Sequence, residues 1–267
     1  MIASDTRTGA AVLGTFVDAL NWANVLGRII SWAESRESRY VCICNVHSVV
    51  TASRDGEFQS VVSEADLVAP DGAPVAWMLR RLGFPGQERI NGPDLMWRYC
   101  EDACCSGQPI YLFGGTAETL VGLTARLLAA FPGLRIAGAW SPPFRPLTDQ
   151  EDAERVAQIN ASGARVVFVG LGCPKQELWM ANHKGRVKAV MIGVGAAFDF
   201  HAGLVPRAPR WMQRLGLEWF HRLVSEPRRL WKRYLVTNSI FLCGATVQLV
   251  RHWLRGVRRI ARNACDG

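Results

Sequence analysis

Short apolar runs alternate with amphipathic stretches along the middle of the chain, from residue 40 to residue 200. The runs are nearly uninterrupted, which is typical of strands that are buried on both faces of a sheet. The predicted strands are Tyr40–Cys44, Asp66–Ala69, Ile110–Phe113, Arg135–Ala139, Val166–Val169 and Ala189–Val194. The predicted helices between them are Val49–Ser63, Pro74–Leu82, Gly92–Cys104, Ala117–Phe131, Gln150–Ser162 and Pro174–His183. This alternation predicts an α/β fold, in which helices cover both faces of a mainly parallel sheet.

The last part of the chain departs from this alternation and predicts helices alone. Residues 207–254 are rich in Trp and Arg and carry no strand pattern. Within them Leu235–Val250 is largely apolar, but it is shorter and more polar than the roughly 20 apolar residues that a membrane-spanning helix needs. We therefore divide the chain into a sheet-containing domain, residues 1–206, and a helical C-terminal appendage, residues 207–267.

The end of the appendage has an amphipathic pattern, because on a helix its arginines fall on one side and its apolar residues on the other. The arginines are Arg251, Arg255, Arg258, Arg259 and Arg262, and the apolar residues are Trp253, Leu254, Val257 and Ile260. Such a helix suits a membrane interface that carries anionic lipid. The alternative is a surface helix packed on the protein or on a partner subunit. An exposed apolar appendage would also favour homo-oligomers in the absence of lipid.

Charge follows the same division of the chain. The net charge is +8, yet basic residues far outnumber acidic ones after Arg207, so the remainder of the chain is slightly acidic. A basic segment usually meets phosphates, in lipid head groups, a substrate diphosphate or nucleic acid. The first residues carry no secretory signal pattern, which predicts a cytoplasmic protein. The eight cysteines show no spacing typical of a zinc site or a disulfide framework.

Two loops that follow predicted strands carry polar side chains suited to chemistry. Asn45 begins the first loop, and Asp71 lies next to Gly72 in the second. Because ligands of parallel sheets bind beyond the carboxyl ends of the strands, both side chains are expected at the ligand cleft. A carboxylate there can act as general base on a substrate hydroxyl, although an Asp–Gly pair is most often a turn.

A third loop, Gly170–Glu177, contains two glycines and a proline at a first helical position. This pattern predicts a turn that presents free backbone N–H groups near Gly172 to an anion, with Lys175 and Gln176 in the first helical turn. The alternative is an ordinary strand–helix turn. Neither this loop nor Gly193–Phe198 has the complete glycine fingerprint of a dinucleotide site, which disfavours a nucleotide-cofactor oxidoreductase.

Arginines are the expected partners of a substrate phosphate. No Asp-x-Asp pair of the kind that holds a divalent metal on a diphosphate occurs in the chain, so no metal ligands are predicted. Arginine forks match phosphate oxygens bidentately. The candidates are Arg207, Arg210, Arg222, Arg228, Arg229 and Arg233. The alternatives are a solvated basic face and a non-catalytic membrane- or nucleic-acid-binding module, but such a module would leave the polar loops of an acidic body unexplained.

Several of these segments, taken in order, resemble the TagA/WecG/CpsF family of bacterial glycosyltransferases over roughly residues 11–235. The matching stretches are Asn45-Val-His-Ser, Ala65-Asp-Leu-Val-Ala-Pro-Asp71-Gly72, Glu88-Arg89-Ile-Asn-Gly92, Gly172-Cys-Pro-Lys-Gln176-Glu177, Gly195-Ala-Ala-Phe-Asp199-Phe-His-Ala-Gly203, Arg207-Ala-Pro, Gly216-Leu-Glu218-Trp219, Arg222-Leu, Glu226-Pro-Arg228-Arg229 and Arg233-Tyr.

The resemblance implies a Rossmann-like domain and an inverting, metal-independent transfer without a cofactor. The donor would be a UDP-sugar, and the acceptor a polyprenyl-diphosphate-linked glycan of cell-envelope or exopolysaccharide biosynthesis. It implies an enzyme that is attached peripherally to the inner face of the cytoplasmic membrane and does not bind nucleic acid. Asp71 would be the catalytic base. The implied substrate-binding residues are Asn45, Arg89, Gly172, Lys175, Gln176, Asp199, Arg222, Arg228, Arg229 and Arg233.

One position departs from the pattern of the family. Members that use N-acetylmannosamine are expected to have Thr two positions before the Asn, and this chain has Ile43. The donor sugar therefore stays open between glucose and N-acetylmannosamine or its uronic acid.

Overall fold

The computed structural model describes the backbone of residues 7–265 and the side chains of residues 7–228 and 230–255. The strands are β1 (Gly9–Val12), β2 (Thr15–Asp18), β3 (Arg39–Cys44), β4 (Leu67–Pro70), β5 (Ile110–Gly114), β6 (Ile136–Trp140), β7 (Val166–Gly170) and β8 (Val190–Gly193). The helices are α1 (Trp22–Glu34), α2 (Val46–Ala52), α3 (Gly56–Ser63), α4 (Ala73–Arg81), α5 (Gly92–Ser106), α6 (Ala117–Ala130), α7 (Asp149–Ala161), α8 (Lys175–His183), α9 (Ala197–Ala202), α10 (Arg210–Arg214), α11 (Glu218–Ser225) and α12 (Pro227–Cys265).

Six strands form the central sheet, in the order β4-β3-β8-β7-β5-β6. Every neighbouring pair in this sheet is parallel, so all six carboxyl ends lie at one edge. Side chains of each strand alternate between two apolar layers. On β3, for example, Cys42 and Cys44 belong to one core, and Val41 and Ile43 belong to the other. The sheet confirms the predicted α/β, Rossmann-like fold, and all six predicted strands are present.

One predicted helix, Val49–Ser63, is wrong, because the segment forms two helices, α2 and α3. The chain turns after Ala52, and Asp55 starts the second helix. The Asp55 carboxylate accepts a hydrogen bond from the backbone N–H of Phe58, at 3.1 Å. A side chain that caps a helix in this way favours a new start over continuation.

The hairpin β1–β2 and helix α1 were not predicted. The hairpin turns at Leu13 and Gly14, both of which have positive φ, 50° and 90°. Two consecutive residues with positive φ match the right-handed twist of a two-residue hairpin. Leu is rare in that conformation, so the sequence offers only one glycine as a turn signal.

The two patterns predicted at the end of the appendage belong to one continuous helix, α12. The hydroxyls of Thr237, Ser239 and Thr246 donate to backbone carbonyls four residues earlier, at 2.7–2.8 Å, so these polar residues stay within the helix. The helix packs against α2 and the hairpin. No helix in the part of the chain that the structure describes is long and apolar enough to cross a membrane. The side chains of Val257, Arg258, Arg259, Ile260 and Arg262 lie outside the described residues.

Candidate active site

A cleft with a volume of about 860 Å³ opens at the carboxyl ends of β3, β4, β7 and β8, where α11 and α12 of the appendage close over it. Eight of the predicted site residues line this cleft. They are Asn45, Asp71, Arg89, Gly172, Gln176, Asp199, Arg222 and Arg233. Ile43, the residue that departs from the family pattern, also lines it. The cleft therefore combines side chains of the sheet domain with side chains of the appendage.

Asp71 directly follows β4 and is fixed by the turn into α4. Its carboxylate Oδ1 accepts a hydrogen bond from the N–H of Gly72, at 2.6 Å. Gly72 has a φ of 79°, a conformation that glycine adopts without strain. Burial raises the pKa of the Asp71 carboxyl, while the positive charge of Arg89 opposes the rise. A carboxylate with a raised pKa is a stronger base toward a substrate hydroxyl.

Arg89 connects Asp71 to the appendage. Its Nε donates to Asp71 Oδ1 over a long 3.4 Å, whereas its Nη2 forms a much closer ion pair with Glu218 at the start of α11. Glu218 also accepts from Nε of Arg207, at 3.3 Å. Arg207 in turn donates to Asp94 at 2.6 Å. Glu218 occurs in a stretch that carried the family resemblance, but the sequence did not show its contact with Arg89.

Asn45 lies at the cleft because it starts helix α2. Its Oδ1 accepts from the N–H groups of His47 and Ser48, at 2.9 and 3.2 Å. These bonds satisfy two of the free donors at the helix start and fix the side chain at the end of β3.

The turn after β7 is held by Gln176. The Gly172 N–H donates to Gln176 Oε1 at 3.2 Å, and Gln176 Nε2 donates to Glu177 Oε1 at 2.9 Å. The Gly172 N–H is therefore not one of the free donors predicted near this turn, because the Gln176 side chain already accepts from it. A Cβ added at Gly172 would meet no heavy atom within 4 Å among the described residues other than Gly172 and its two chain neighbours, so the cleft is open there. Lys175 is exposed and does not line the cleft.

Asp199 lies in the first turn of α9. Its Oδ1 accepts from the Thr119 hydroxyl at 3.4 Å, and its backbone carbonyl accepts from Leu204 N–H at 3.0 Å. These contacts hold the carboxylate at the side of the cleft that the turn after β5 forms. Among the described residues, no group of three or more His, Cys, Asp or Glu side chains could hold a metal ion.

Arg222 and Arg233 bring guanidinium groups of the appendage to the cleft. The Nε atom of each is buried and has no hydrogen-bond partner among the described residues. Arg222 also lies over the ring of Phe200, with its Cζ 5.3 Å from the ring centroid. Arg228 is exposed and does not line the cleft, and the side chain of Arg229 lies outside the described residues. Buried donors without partners are suited to an incoming anion.

His47 was not predicted as a site residue, although it belongs to the Asn45 loop. Burial, together with the positive charge of Arg233, lowers its pKa to about 4. Its Nδ1 atom is buried without a partner in the described part of the chain. The ring is therefore neutral at neutral pH and available for a hydrogen bond to a ligand.

Comparison with known proteins shows the family of the chain. The chain matches the model of the Glycosyl transferase WecG/TagA/CpsF family over residues 10–255. It is 36% identical over 193 residues to an N-acetylglucosaminyldiphosphoundecaprenol N-acetyl-beta-D-mannosaminyltransferase of Bacillus subtilis strain 168, covering 72% of this chain and 73% of that protein. A protein of the same name from Bacillus spizizenii is 32% identical over 222 residues, covering 82% and 84% of the two chains. The chain therefore belongs to the WecG/TagA/CpsF family and is a glycosyltransferase.

Proposed function

We propose that the protein transfers a sugar from a UDP-sugar to a polyprenyl-diphosphate-linked acceptor, with inversion and without a metal ion. The acceptor class is supported by the two relatives, whose names specify a sugar carried on diphosphoundecaprenol. Their names also specify a β-linked product. A β-linkage made from an α-linked nucleotide sugar requires inversion at the anomeric carbon.

In the proposed reaction, Asp71 is the general base. It removes the proton from the acceptor hydroxyl while that oxygen forms its bond to the anomeric carbon. The bond between this carbon and the β-phosphate oxygen breaks, and UDP leaves with the electron pair. General-base catalysis of this kind contributes about 10²–10⁴-fold in rate.

Arg222 and Arg233 stabilise the departing diphosphate in this mechanism. Fixed donors directed at a charge that develops during the reaction lower the barrier without reorganising at that moment. Their unpaired Nε atoms, in the same cleft as Asp71, are the observation that carries the proposal. Neutral His47 and Asn45 add hydrogen-bonding groups near the same end of β3.

The donor sugar is the detail on which the sequence and the relatives differ. The relatives are named for N-acetylmannosamine, whereas Ile43 gives this cleft an apolar side chain where that donor is expected to meet a Thr hydroxyl. A missing hydroxyl would leave a polar acetamido group without a partner, which favours a donor such as glucose.

The appendage, residues 207–267, is proposed to hold the enzyme on the inner face of the cytoplasmic membrane. Its described surface exposes large apolar side chains beside many basic ones. The exposed apolar residues are Trp211, Leu215, Trp219, Phe220, Val224, Trp231, Leu235, Val236, Leu242, Val247, Val250, Trp253 and Leu254. Tryptophan, aliphatic and basic residues together suit the interface of an anionic membrane.

Turnover of defined substrates tests the proposal. The full-length protein is incubated with a short-chain lipid diphosphate carrying one N-acetylglucosamine, in EDTA, with UDP-glucose or UDP-N-acetylmannosamine. We expect UDP release with one donor and a β-linked product by NMR. An absolute need for a divalent metal, or an α-linked product, would contradict the mechanism. No release with any UDP-sugar, while the protein binds UDP, would contradict the proposed substrates.

A further inference from the structure

We propose that Glu218 is a positioning residue, which holds Arg89 away from a tight ion pair with Asp71 and so keeps Asp71 competent as a base. This inference rests on the proposed role of Asp71. It also couples the chemistry to the appendage, because Glu218 is the first residue of α11.

Five charges alternate through this part of the molecule and form a charge chain. Its members, in order, are Asp71, Arg89, Glu218, Arg207 and Asp94. The contacts along it are unequal. Arg89 lies 3.4 Å from Asp71 through Nε only, and its terminal Nη2 contacts Glu218 closely. A bidentate pair with Asp71 through Nε would also need Nη2, and this group is engaged by Glu218.

The charge chain is largely buried, so its charges interact strongly with one another. The side chains of Asp71, Arg89 and Glu218 are 20%, 22% and 12% exposed. Charges in such positions are screened by water and salt much less than those on the surface. Burial raises the pKa of Asp71 most, Arg89 lowers it, and the negative charge of Glu218 raises it again.

Close packing fixes the distance between Glu218 and Asp71. Gly216 lies just before Glu218, and a Cβ added to it would lie 2.6 Å from the Cβ of Ala73. Ala73 begins the helix that follows Asp71 and Gly72. The start of α11 is therefore seated on the start of α4. On its other side, Arg207 ties Glu218 to Asn91 and Asp94 at the start of α5.

Other ionisable groups face the same cleft and contribute to the electrostatic potential around Asp71. From the remaining elements they are Cys173, Glu177, His47, Arg80, Asp199, Arg222, Arg233 and Tyr234. Burial raises the pKa of Glu177 and lowers that of His47, so both favour their neutral forms. Arg89 and Glu218 are the two charged side chains that act most strongly on the pKa of Asp71.

Titration of the Asp71 carboxyl in Glu218→Gln tests the coupling directly. The full-length protein is labelled with ¹³C at aspartate Cγ, and the Asp71 signal is assigned by its loss in Asp71→Asn. Without the charge of Glu218, Arg89 is free to pair with Asp71. Both changes lower the pKa of Asp71, so we expect its midpoint to fall by on the order of one pH unit. An unchanged or higher midpoint would overturn the proposal.

Two further variants separate positioning from a loss of structure. Glu218→Asp keeps the charge but withdraws it from Arg89, so the midpoint should fall by a smaller amount. If Glu218→Gln does not fold, the test is made with Glu218→Asp. An unchanged Asp71 midpoint in folded Glu218→Asp would overturn the coupling. The matched control is Glu151→Gln, which removes an exposed carboxylate paired with Arg145 at 2.7 Å, away from the cleft. In Glu151→Gln the titration midpoint of Asp71 should equal that of the wild type.

Kinetics give a second readout that a purely structural residue would not change. The acid limb of the kcat/KM profile reports deprotonation of the base, so it should move to lower pH in Glu218→Gln. A weaker base should also lower the plateau of kcat roughly three- to tenfold. If the wild-type protein shows no turnover, the proposed function is contradicted. The role of Glu218 is still tested in that case, because the NMR titration needs no substrate. If Glu218→Gln changes neither the position of the acid limb of kcat/KM nor the plateau of kcat, the proposed role of Glu218 is overturned.

Discussion

The two walls of the cleft hold their polar side chains in different ways. On the sheet wall, formed by Asn45, Asp71 and Gln176, each side chain accepts a hydrogen bond from a backbone N–H of its own loop. On the appendage wall, formed by Arg222 and Arg233, each guanidinium keeps a buried Nε without a partner among the described residues. An unpaired buried donor is costly, and an anion that binds there offsets the cost. In the proposed mechanism, the three side chains of the sheet wall are fixed before the substrate binds, whereas the arginines of the appendage wall find their partner in the substrate.

The largest predicted effect comes from removing the guanidinium groups of both Arg222 and Arg233. We expect Arg222→Gln/Arg233→Gln to lower kcat about 10²–10³-fold, the loss typical of a missing donor to a developing oxyanion. UDP binding should weaken as well, because the same groups are proposed to contact the diphosphate before the reaction. Steady-state kinetics and calorimetric titration with UDP measure the two effects.

The control for this prediction is Arg98→Gln. Arg98 is an exposed arginine that lies over Trp22 and does not line the cleft. Its substitution should leave kcat and UDP affinity near the wild-type values. Wild-type UDP affinity in the double variant would show that the appendage wall does not bind the diphosphate.

The attachment of α12 to the sheet domain predicts a smaller effect. Gln248 bridges α12 and the hairpin, since its Oε1 accepts from Leu13 N–H at 2.9 Å and its Nε2 donates to the Ala11 carbonyl at 2.6 Å. Gln248→Ala removes both bonds, at a cost of about 1–2 kcal/mol. Amide hydrogen exchange of α12 near residue 248 should accelerate by roughly tenfold. Equal acceleration throughout the sheet would show that the appendage does not open independently.

The smallest predicted effect concerns His47, where the two walls meet. Its pKa of about 4 in the folded protein lies below the value of about 6.5 in an unfolded chain. As the pH falls from 6.5 toward 4, the unfolded state binds a proton that the native state does not, so stability is lost. His47→Asn should lose less stability than the wild type between pH 7 and pH 4.5, by about 1 kcal/mol after allowance for partial exposure. Denaturant unfolding at both pH values measures this, and equal losses in the two proteins would contradict it.

The strands and the sheet wall were predictable because their signals are local. Continuous apolar runs mark strands that are buried on both faces, and polar residues directly after a strand must lie at the carboxyl edge of a parallel sheet. Asn45 and Asp71 follow from this rule, whereas Gln176 was assigned to the site by the family resemblance. Asp55 shows its limit, because a capping side chain divided a stretch whose apolar spacing alone predicted one helix.

The appendage wall was predictable only as a set of candidates. Successive residues on a helix differ in direction by about 100°, so the arginines of one helix cannot all face the cleft. Arg233 and Arg228 are five positions apart on α12, which directs them to different sides. The pairing of Arg89 with Glu218 joins positions that are 129 residues apart, and no local pattern encodes it.

The central claim is that Asp71 supplies the base while other residues bind the nucleotide. Turnover and UDP affinity of Asp71→Asn, measured on the same preparation of protein, test it most directly. We expect kcat to fall about 10²–10⁴-fold while the Kd for UDP stays close to that of the wild type. Near-normal turnover in Asp71→Asn would contradict the account, and a parallel loss of UDP binding would assign Asp71 to nucleotide binding instead.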